Sequence, residues 1–191
     1  MKEYNKLNSL LKGDIHIETN FFDEEIYKSV LNKISSIKTV STFQPFATKY
    51  GNRMQAMPCY ESKFNFYQKF IINKIQEILE IKINKYHCTY RKIKTEEIKK
   101  SQCTGRYGFT HIDGGEKNTI PLAAIMHLDQ SYDGGTAFFE YFWDKKPDIY
   151  VSAYPNRLVI YNGNRLHAPA FDHSFKERHS LAFFFNAQHE K

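Results

Sequence analysis

Apolar residues recur with helical spacing in two segments of the first 80 residues. The first segment begins at Asp23, a residue type that caps helices well, and ends at Ile37. Its apolar positions are Ile26, Tyr27, Val30, Leu31, Ile34 and Ile37. The second segment, SKFNFYQKFIINKIQEILE, carries a broader apolar stripe. Its positions are Phe64, Tyr67, Ile71, Ile75, Ile78 and Leu79. The pattern predicts two helices, the second packed against a sheet.

Alternation of apolar and polar residues predicts strands elsewhere in the chain. A short strand is indicated around Ile15 and Ile17, and short β-rich runs separated by turn signals follow from about Lys82 onward. The strongest strand candidates are LAAIMHLD, GTAFFEYF, RLVIYN and RHSLAFFFN. Between Thr39 and Tyr60 no period is sustained, and proline and glycine favour a segment that is mainly loop.

This order of elements predicts an α+β fold. The best match is a double-stranded β-helix, which is a jelly-roll-type sandwich, backed by N-terminal helices. No internal repeat, low-complexity tract or linker divides the chain. We therefore expect one domain over residues 1–191, with helical support at about 20–80 and the β-helix core at about 82–188.

The composition indicates whether the chain can form a buried core and which cellular compartment suits it. With 41% apolar and 16% aromatic residues, the 191-residue chain can bury one sizeable core. No apolar run is long enough for a membrane span, and the first residues are too polar for a secretion signal. The three cysteines, Cys59, Cys88 and Cys103, are odd in number and lack C-x-x-C spacing. This argues against a disulfide framework or a zinc ribbon, so we expect a reducing, cytoplasmic setting.

The net charge of +6 comes largely from lysines between Lys82 and Lys100. Such a stripe can bind nucleic acid or an acidic protein. Glu96 and Glu97 interrupt the run, however, so a solvated face is the favoured interpretation.

Three residues in the strand-rich half have the character of metal ligands. His111 and Asp113 are separated by one residue at the end of a predicted strand, which points both side chains to the same face. His167 follows the predicted strand RLVIYN and can complete the set. Two imidazoles and one carboxylate on one side of an ion leave open positions, as non-haem iron(II) oxygenases require. The same three ligands can also hold zinc or manganese.

Arg178 lies eleven positions after His167, at the start of an alternating strand. Ser180, Ala182 and Phe184 share its face of that strand. A guanidinium buried among apolar residues needs a partner, and a dicarboxylate can supply it through a bidentate pair. The Ser180 hydroxyl, two residues on, can donate a hydrogen bond to the same carboxylate.

The segment from about Cys103 to Asn186 resembles the 2-oxoglutarate/iron(II) oxygenase superfamily. That pattern is H-x-D, then a distal histidine, then an arginine about ten residues later with a serine two beyond. More narrowly, HIDGG, IMHLD, GGTAFFE, NRLVIYNGNRLHAP and RHSLAFFFN resemble a bacterial and phage branch of it, and they are similar to prolyl hydroxylases. The resemblance implies that His111, Asp113 and His167 bind Fe(II). It also implies 2-oxoglutarate as co-substrate, held by Arg178 and Ser180, and O2 as oxidant.

The resemblance also suggests a role for His127. In prolyl hydroxylases a tyrosine in the strand after H-x-D contacts the far carboxylate of 2-oxoglutarate, and IMHLD places His127 at that point. A histidine buried in the core is the alternative interpretation. The Gly134-Gly135-Thr136 turn resembles the glycine pair that opens the next strand, and we expect it to be structural.

The resemblance favours hydroxylation over halogenation, because related halogenases replace the residue matching Asp113 with glycine or alanine. Desaturation and cyclisation begin with the same hydrogen abstraction and stay open. Nucleic-acid dealkylases usually carry a second arginine where this chain has Phe184, so nucleic acid is disfavoured. A small molecule such as a free amino acid, or a side chain of a peptide or protein, remains as substrate. Tyr50, Arg53 and Met54 lie in a loop that is the best candidate for a substrate lid.

Two other functional classes of protein remain open. A cupin-like jelly-roll metalloenzyme that uses zinc or manganese without 2-oxoglutarate shares the barrel and the histidines, but it gives no reason for Arg178 with Ser180. A non-enzymatic binding module on a decayed barrel is the other, but none of the three ligands is missing. The oligomeric state is left open by the sequence.

Overall fold

The computed structural model describes residues 6–46, 55–100, 110–114, 120–128, 133–141, 144, 146–172, 174 and 176–188. Its helices are α1 (Lys6–Leu11), α2 (Glu24–Ser35), α3 (Gln68–Leu79) and α4 (Thr95–Lys100). Its strands are β1 (His16–Glu18), β2 (Val40–Phe46), β3 (Gln55–Lys63), β4 (Lys82–Lys94), β5 (Ile120–His127), β6 (Gly135–Phe139), β7 (Ile149–Ser152), β8 (Leu158–Asn162), β9 (Leu166–Ala170) and β10 (Glu177–Gln188).

The strands of the described residues form two antiparallel sheets. The large sheet has the order β1-β8-β5-β10-β4-β3-β2, and the small sheet has the order β7-β6-β9. The sheets lie face to face, because inward residues Ala123 and Ile125 of β5 share one buried cluster with Phe138 of β6 and Val151 of β7. The other face of the large sheet packs against α2 and α3, where Leu181 and Phe183 of β10 join the main core. The α+β expectation and the double-stranded β-helix are confirmed.

Both predicted N-terminal helices are confirmed. The carboxylate of Asp23 accepts a hydrogen bond from the backbone N–H of Ile26 at 2.7 Å, so Asp23 is the N-cap of α2. The predicted apolar stripe of the second helix supplies the buried residues Ile71, Ile75 and Leu79 of α3. No helix in the described part of the chain is long and apolar enough to cross a membrane.

The main strand predictions are also confirmed. LAAIMHLD falls on β5, GTAFFEYF on β6, RLVIYN on β8 and RHSLAFFFN on β10. The short alternating segment around Ile17 forms β1, which pairs with β8 at the edge of the large sheet.

The prediction that the segment between Thr39 and Tyr60 is mainly loop is wrong for the residues that the structure describes. This segment forms the antiparallel pair β2 and β3, with Val40 opposite Glu61 and Phe46 opposite Gln55. Pro58 is tolerated because, among the described residues, β3 pairs with β4 only from Tyr60 onward, so the earlier part of β3 pairs there with β2 alone. Residues 47–54, which include the lid candidates Tyr50, Arg53 and Met54, lie outside the described residues.

The basic segment from Lys82 to Lys100 forms β4 and α4, and β4 lies between β10 and β3. A solvated face describes only part of it. Cys88 and Tyr90 are buried towards the helices, while Thr89 and Ile93 are buried on the opposite face. The alternation places Arg91 on the inward face as well.

Candidate metal centre

His167 lies on β9 of the small sheet, and His111 pairs with it. His111 and His167 exchange both backbone hydrogen bonds, at 2.8 and 2.9 Å, so the H-x-D segment runs antiparallel to β9. This pairing brings the two imidazole rings to a centroid separation of 4.3 Å. Asp113 is fixed by its own backbone, because its N–H donates to the carbonyl of Gly163 at 2.8 Å in the turn between β8 and β9.

The three candidate ligands converge on one point. Nε2 of His111 lies 3.5 Å from Oδ1 of Asp113, and Nε2 of His167 lies 3.4 Å from Oδ2. All three ligand atoms lie within 4.8 Å of one another. Ligands at right angles around an ion about 2.1 Å away would be about 3 Å apart, so the two histidine–aspartate separations are already close to those around one cation.

The ring of His167 is oriented for metal binding through Nε2. Its Nδ1 lies 2.9 Å from the carbonyl oxygen of Arg165. Because a carbonyl can only accept, Nδ1 must carry the proton, which leaves the Nε2 lone pair facing the other two ligands. Metal-binding histidines are commonly fixed by a hydrogen bond of this kind.

The electrostatics favour cation binding at neutral pH. Burial raises the pKa of Asp113, but the neighbouring His167 and His111 outweigh it and lower that pKa to about 2. Burial lowers the pKa of His167 to about 4, although the Asp113 charge opposes it. A carboxylate beside a neutral imidazole is the protonation state that a divalent cation requires.

Tyr161 of β8 lies at the same site, although it is not among the residues predicted from the sequence. Its hydroxyl lies 3.2 Å from Nε2 of His167 and donates to Oδ2 of Asp113 at 3.4 Å. The ring is buried and packs edge-on against Phe138, with 5.1 Å between centroids. Burial raises the pKa of the Tyr161 phenol well above its usual value, and Asp113 adds to this, so it remains a neutral donor.

A cavity of about 460 Å³, counting the part open to solvent, joins the trio to Arg178 and Ser180. Arg178 is 3% exposed and Ser180 is 1% exposed, and both point inward from β10 as the alternation predicts. The Ser180 hydroxyl has no hydrogen-bond partner among the described residues, which is the condition expected of a group that awaits a ligand.

His127 lies on β5 directly opposite Ser180 and is 1% exposed. It does not line the cavity in the described structure. Both of its ring nitrogens are buried and have no hydrogen-bond partner among the described residues. Burial, reinforced by the charges of Arg178 and Arg157, lowers the pKa of His127 well below its usual value, so the ring is neutral.

The turn before β6 has both a structural and a polar component. A side chain at Gly135 would place its Cβ 2.2 Å from the Val151 carbonyl oxygen, so glycine is required there for the pairing of β6 with β7. Thr136 lines the cavity, and its buried hydroxyl has no hydrogen-bond partner among the described residues. Gly135 of this turn therefore has the structural role that was expected, whereas Thr136 of the same turn adds a donor to the cavity.

Comparison with known proteins identifies the fold. No family model and no curated protein matches the sequence. Among solved structures, a Pseudomonas putida prolyl-4-hydroxylase matches with a TM-score of 0.57 at 13% identity, over 96% of this chain and 98% of that one. A Trichoplax adhaerens prolyl hydroxylase in complex with a hypoxia-inducible-factor peptide fragment matches with a TM-score of 0.61 at 12% identity, over 95% and 87%.

A third match is HygX from Streptomyces hygroscopicus with nickel, 2-oxoglutarate and hygromycin B bound, with a TM-score of 0.57 at 9% identity, over 97% and 87%. At these identities the likeness establishes a shared fold. The chain therefore has the double-stranded β-helix fold of prolyl hydroxylases and other 2-oxoglutarate-dependent oxygenases.

Proposed function

We propose that this chain is an Fe(II)- and 2-oxoglutarate-dependent dioxygenase, a hydroxylase acting on a C–H bond of a small molecule or a peptide or protein side chain. The observation that carries the proposal is the convergence of His111, Asp113 and His167 at one cavity whose wall also carries Arg178. Residues 1–191 would form one oxygenase domain.

The metal would be held by His111 and His167 through Nε2 and by Asp113 through its carboxylate. Three ligands on one side of an ion leave the opposite positions open for a co-substrate and O2. Bound iron and 2-oxoglutarate together would supply oxygen activation, as O2 and 2-oxoglutarate are converted to succinate and CO2 and one oxygen atom enters the substrate C–H bond. Tyr161 would fix the Asp113 carboxylate by donating to Oδ2.

Arg178 would hold the distal carboxylate of 2-oxoglutarate. A guanidinium pairs with a carboxylate in a bidentate fork, and the unpartnered Ser180 hydroxyl can donate to the same group. His127, directly across from Ser180, would contact that carboxylate through one ring N–H. A cupin-like metalloenzyme without an oxo-acid co-substrate gives no reason for Arg178 and Ser180 in the cavity, which favours the oxygenase.

The substrate would be a small molecule or a peptide. Structures with this fold hold a peptide fragment in one case and hygromycin B in another. Nucleic acid is disfavoured because Phe184 lines the cavity where a second arginine is expected for that class. Buried free thiols at Cys59 and Cys88 fit a cytoplasmic protein.

Succinate formation tests the proposal. The protein loaded with Fe(II) without oxygen, then supplied with 2-oxoglutarate and O2, should form succinate slowly even without its substrate. Pools of amino acids and peptides should include one that accelerates this and yields a product heavier by one oxygen atom. Asp113→Ala, which removes the only carboxylate of the trio, should abolish both. Succinate formation equal to that of the metal-free protein, with iron binding verified, would refute the assignment.

A further inference from the structure

A second arginine, Arg91, lines the same cavity as the metal trio and Arg178. It lies on β4 directly opposite Ser180 of β10, and its side chain is 16% exposed. In the sequence, Arg91 falls in the basic stretch from Lys82 to Lys100, for which a solvated face is the favoured interpretation. The structure places it on the inward face of a strand that lies between two others in the sheet.

Glu61 holds Arg91 from the neighbouring strand. The two residues are opposite each other in the pairing of β3 with β4, and Nε of Arg91 donates to Oε1 of Glu61 at 2.6 Å. This ion pair balances the charge of Arg91 but engages only one of its three nitrogens. The two terminal nitrogens have no hydrogen-bond partner among the residues that the structure describes. Their N–H groups remain available to a ligand in the cavity.

The guanidinium of Arg91 leans away from Arg178. It lies over the ring of Phe184, 5.2 Å from the centroid, and Phe184 is four residues beyond Ser180 on β10. Phe184 lies six positions after Arg178, which is about 20 Å along an extended strand. Phe184 is in register with Ala123 of β5, which is in register with Tyr161 of β8. Arg91 therefore reaches towards the metal end of the cavity, and Arg178 begins at the other end.

These positions assign the two arginines to different anions. In the proposed function, both carboxylates of 2-oxoglutarate already have partners, one at the metal and one at Arg178. The terminal edge of Arg91 is a third anion site near the reacting centre. A carboxylate fits that edge in a bidentate pair, and Glu61 and Phe184 hold the guanidinium plane in place for it.

We infer that Arg91, held by Glu61, binds a carboxylate of the primary substrate, which is therefore a small carboxylic acid such as a free amino acid. This inference rests on the proposed function and narrows its substrate class. A neutral internal side chain of a protein, flanked by peptide groups, offers no such carboxylate, and internal Asp and Glu side chains are the competing source that the test includes.

The test measures binding without turnover. Protein loaded with Ni(II) and 2-oxoglutarate is titrated with free L-amino acids, with their carboxamides, and with terminally capped peptides containing Asp or Glu, and affinity is read from thermal unfolding. At least one free acid should bind about 10- to 100-fold more tightly than its carboxamide. Arg91→Gln should reduce that preference to about twofold, and Arg91→Lys should give an intermediate preference because it keeps the charge but loses the fork.

Two controls separate this inference from the proposed function. Lys92→Gln removes a positive charge one position along β4, on the opposite face, and should bind acids like the wild type. 2-Oxoglutarate affinity should stay within about threefold of the wild type in Arg91→Gln but fall by about tenfold or more in Arg178→Ala. Arg91→Gln leaves the Glu61 carboxylate without its partner, which can prevent the variant from folding. In that case the double variant Arg91→Gln with Glu61→Gln is used, because it has no unpaired charge at this position.

The outcomes are distinct. Equal binding of acids and carboxamides, binding of the capped peptides alone, or no binding by any compound while 2-oxoglutarate binds normally would each overturn the inference and leave the oxygenase assignment standing. A loss of 2-oxoglutarate affinity in Arg91→Gln as large as in Arg178→Ala would show that Arg91 serves the co-substrate. Failure of the wild type to bind 2-oxoglutarate would overturn both.

Discussion

Tyr161 contacts two of the three proposed metal ligands, although it is not itself placed as a ligand. Its hydroxyl donates to Oδ2 of Asp113 and lies beside Nε2 of His167. Once a cation occupies Nε2 of His167, Oδ2 of Asp113 is the acceptor left for the hydroxyl. A hydrogen bond to a ligating carboxylate keeps it in the orientation that the ion needs and reduces its freedom before binding.

Tyr161→Phe is therefore expected to weaken metal binding by about tenfold, at the lower end of the 10- to 100-fold effects seen for such partners. The expected change is measured by anaerobic competition of Fe(II) between the protein and a coloured chelator. Tyr86→Phe is the matched control, because it removes the same hydroxyl from a residue packed against the helix-facing core. Equal iron affinity in the two variants would show that the Tyr161 hydroxyl does not support the metal ligands.

Single residues of the site were predictable to different degrees. The trio and Arg178 could be found because each combines a polar side chain with a fixed spacing in a strand-rich region. Tyr161 could not, because β8 is apolar on both faces and its sequence does not show which face meets the second sheet. Arg91 was not predicted because it lies in a lysine-rich segment that suggests a solvated face. Only the pairing of β4 with β10 and β3 shows that its side chain points inward.

At the scale of elements, α2 depends on its N-cap. The Asp23 carboxylate satisfies the Ile26 N–H, a donor that has no partner within the helix itself. Asp23→Ala should lower the free energy of unfolding by about 1 kcal/mol, and Asp23→Asn should lose much less because asparagine caps nearly as well. Urea unfolding of the metal-free protein measures both. An equal loss in the two variants would mean that charge, and not capping, accounts for the effect.

Helices and strands whose apolar residues recur at regular spacing were predicted well. Those in which the spacing of apolar residues is irregular were not. α2, α3 and the four long strand candidates were found because one buried face imposes spacing on the sequence. The hairpin of β2 and β3 was missed because the proline and glycine of its segment suggest a loop. Pairing on one side of the first half of β3 accommodates Pro58, and the sequence alone does not reveal which strand edge stays unpaired.

At the scale of the whole molecule, the fold is what joins the two halves of the site. His111 and His167 meet across the small sheet, whereas Arg178 and Ser180 face inward from the large sheet. The sandwich therefore places the proposed cation site on one layer and the proposed anion site on the other, and both line one cavity. The placement of these two groups of residues on different layers could not be derived from their spacing along the chain.

The most direct test of the central claim is an anaerobic titration of the Fe(II)-loaded protein with 2-oxoglutarate, followed by the weak visible charge-transfer band of the chelate. The wild type should show a saturable band. Arg178→Ala should raise the apparent Kd by about 10- to 1,000-fold, with Arg178→Lys between it and the wild type. Ser180→Ala should raise the Kd by only about fivefold, and iron affinity should be unchanged in all three. If Arg178→Ala binds 2-oxoglutarate as tightly as the wild type while iron is bound, the co-substrate is held elsewhere, and the assignment of this cavity is contradicted.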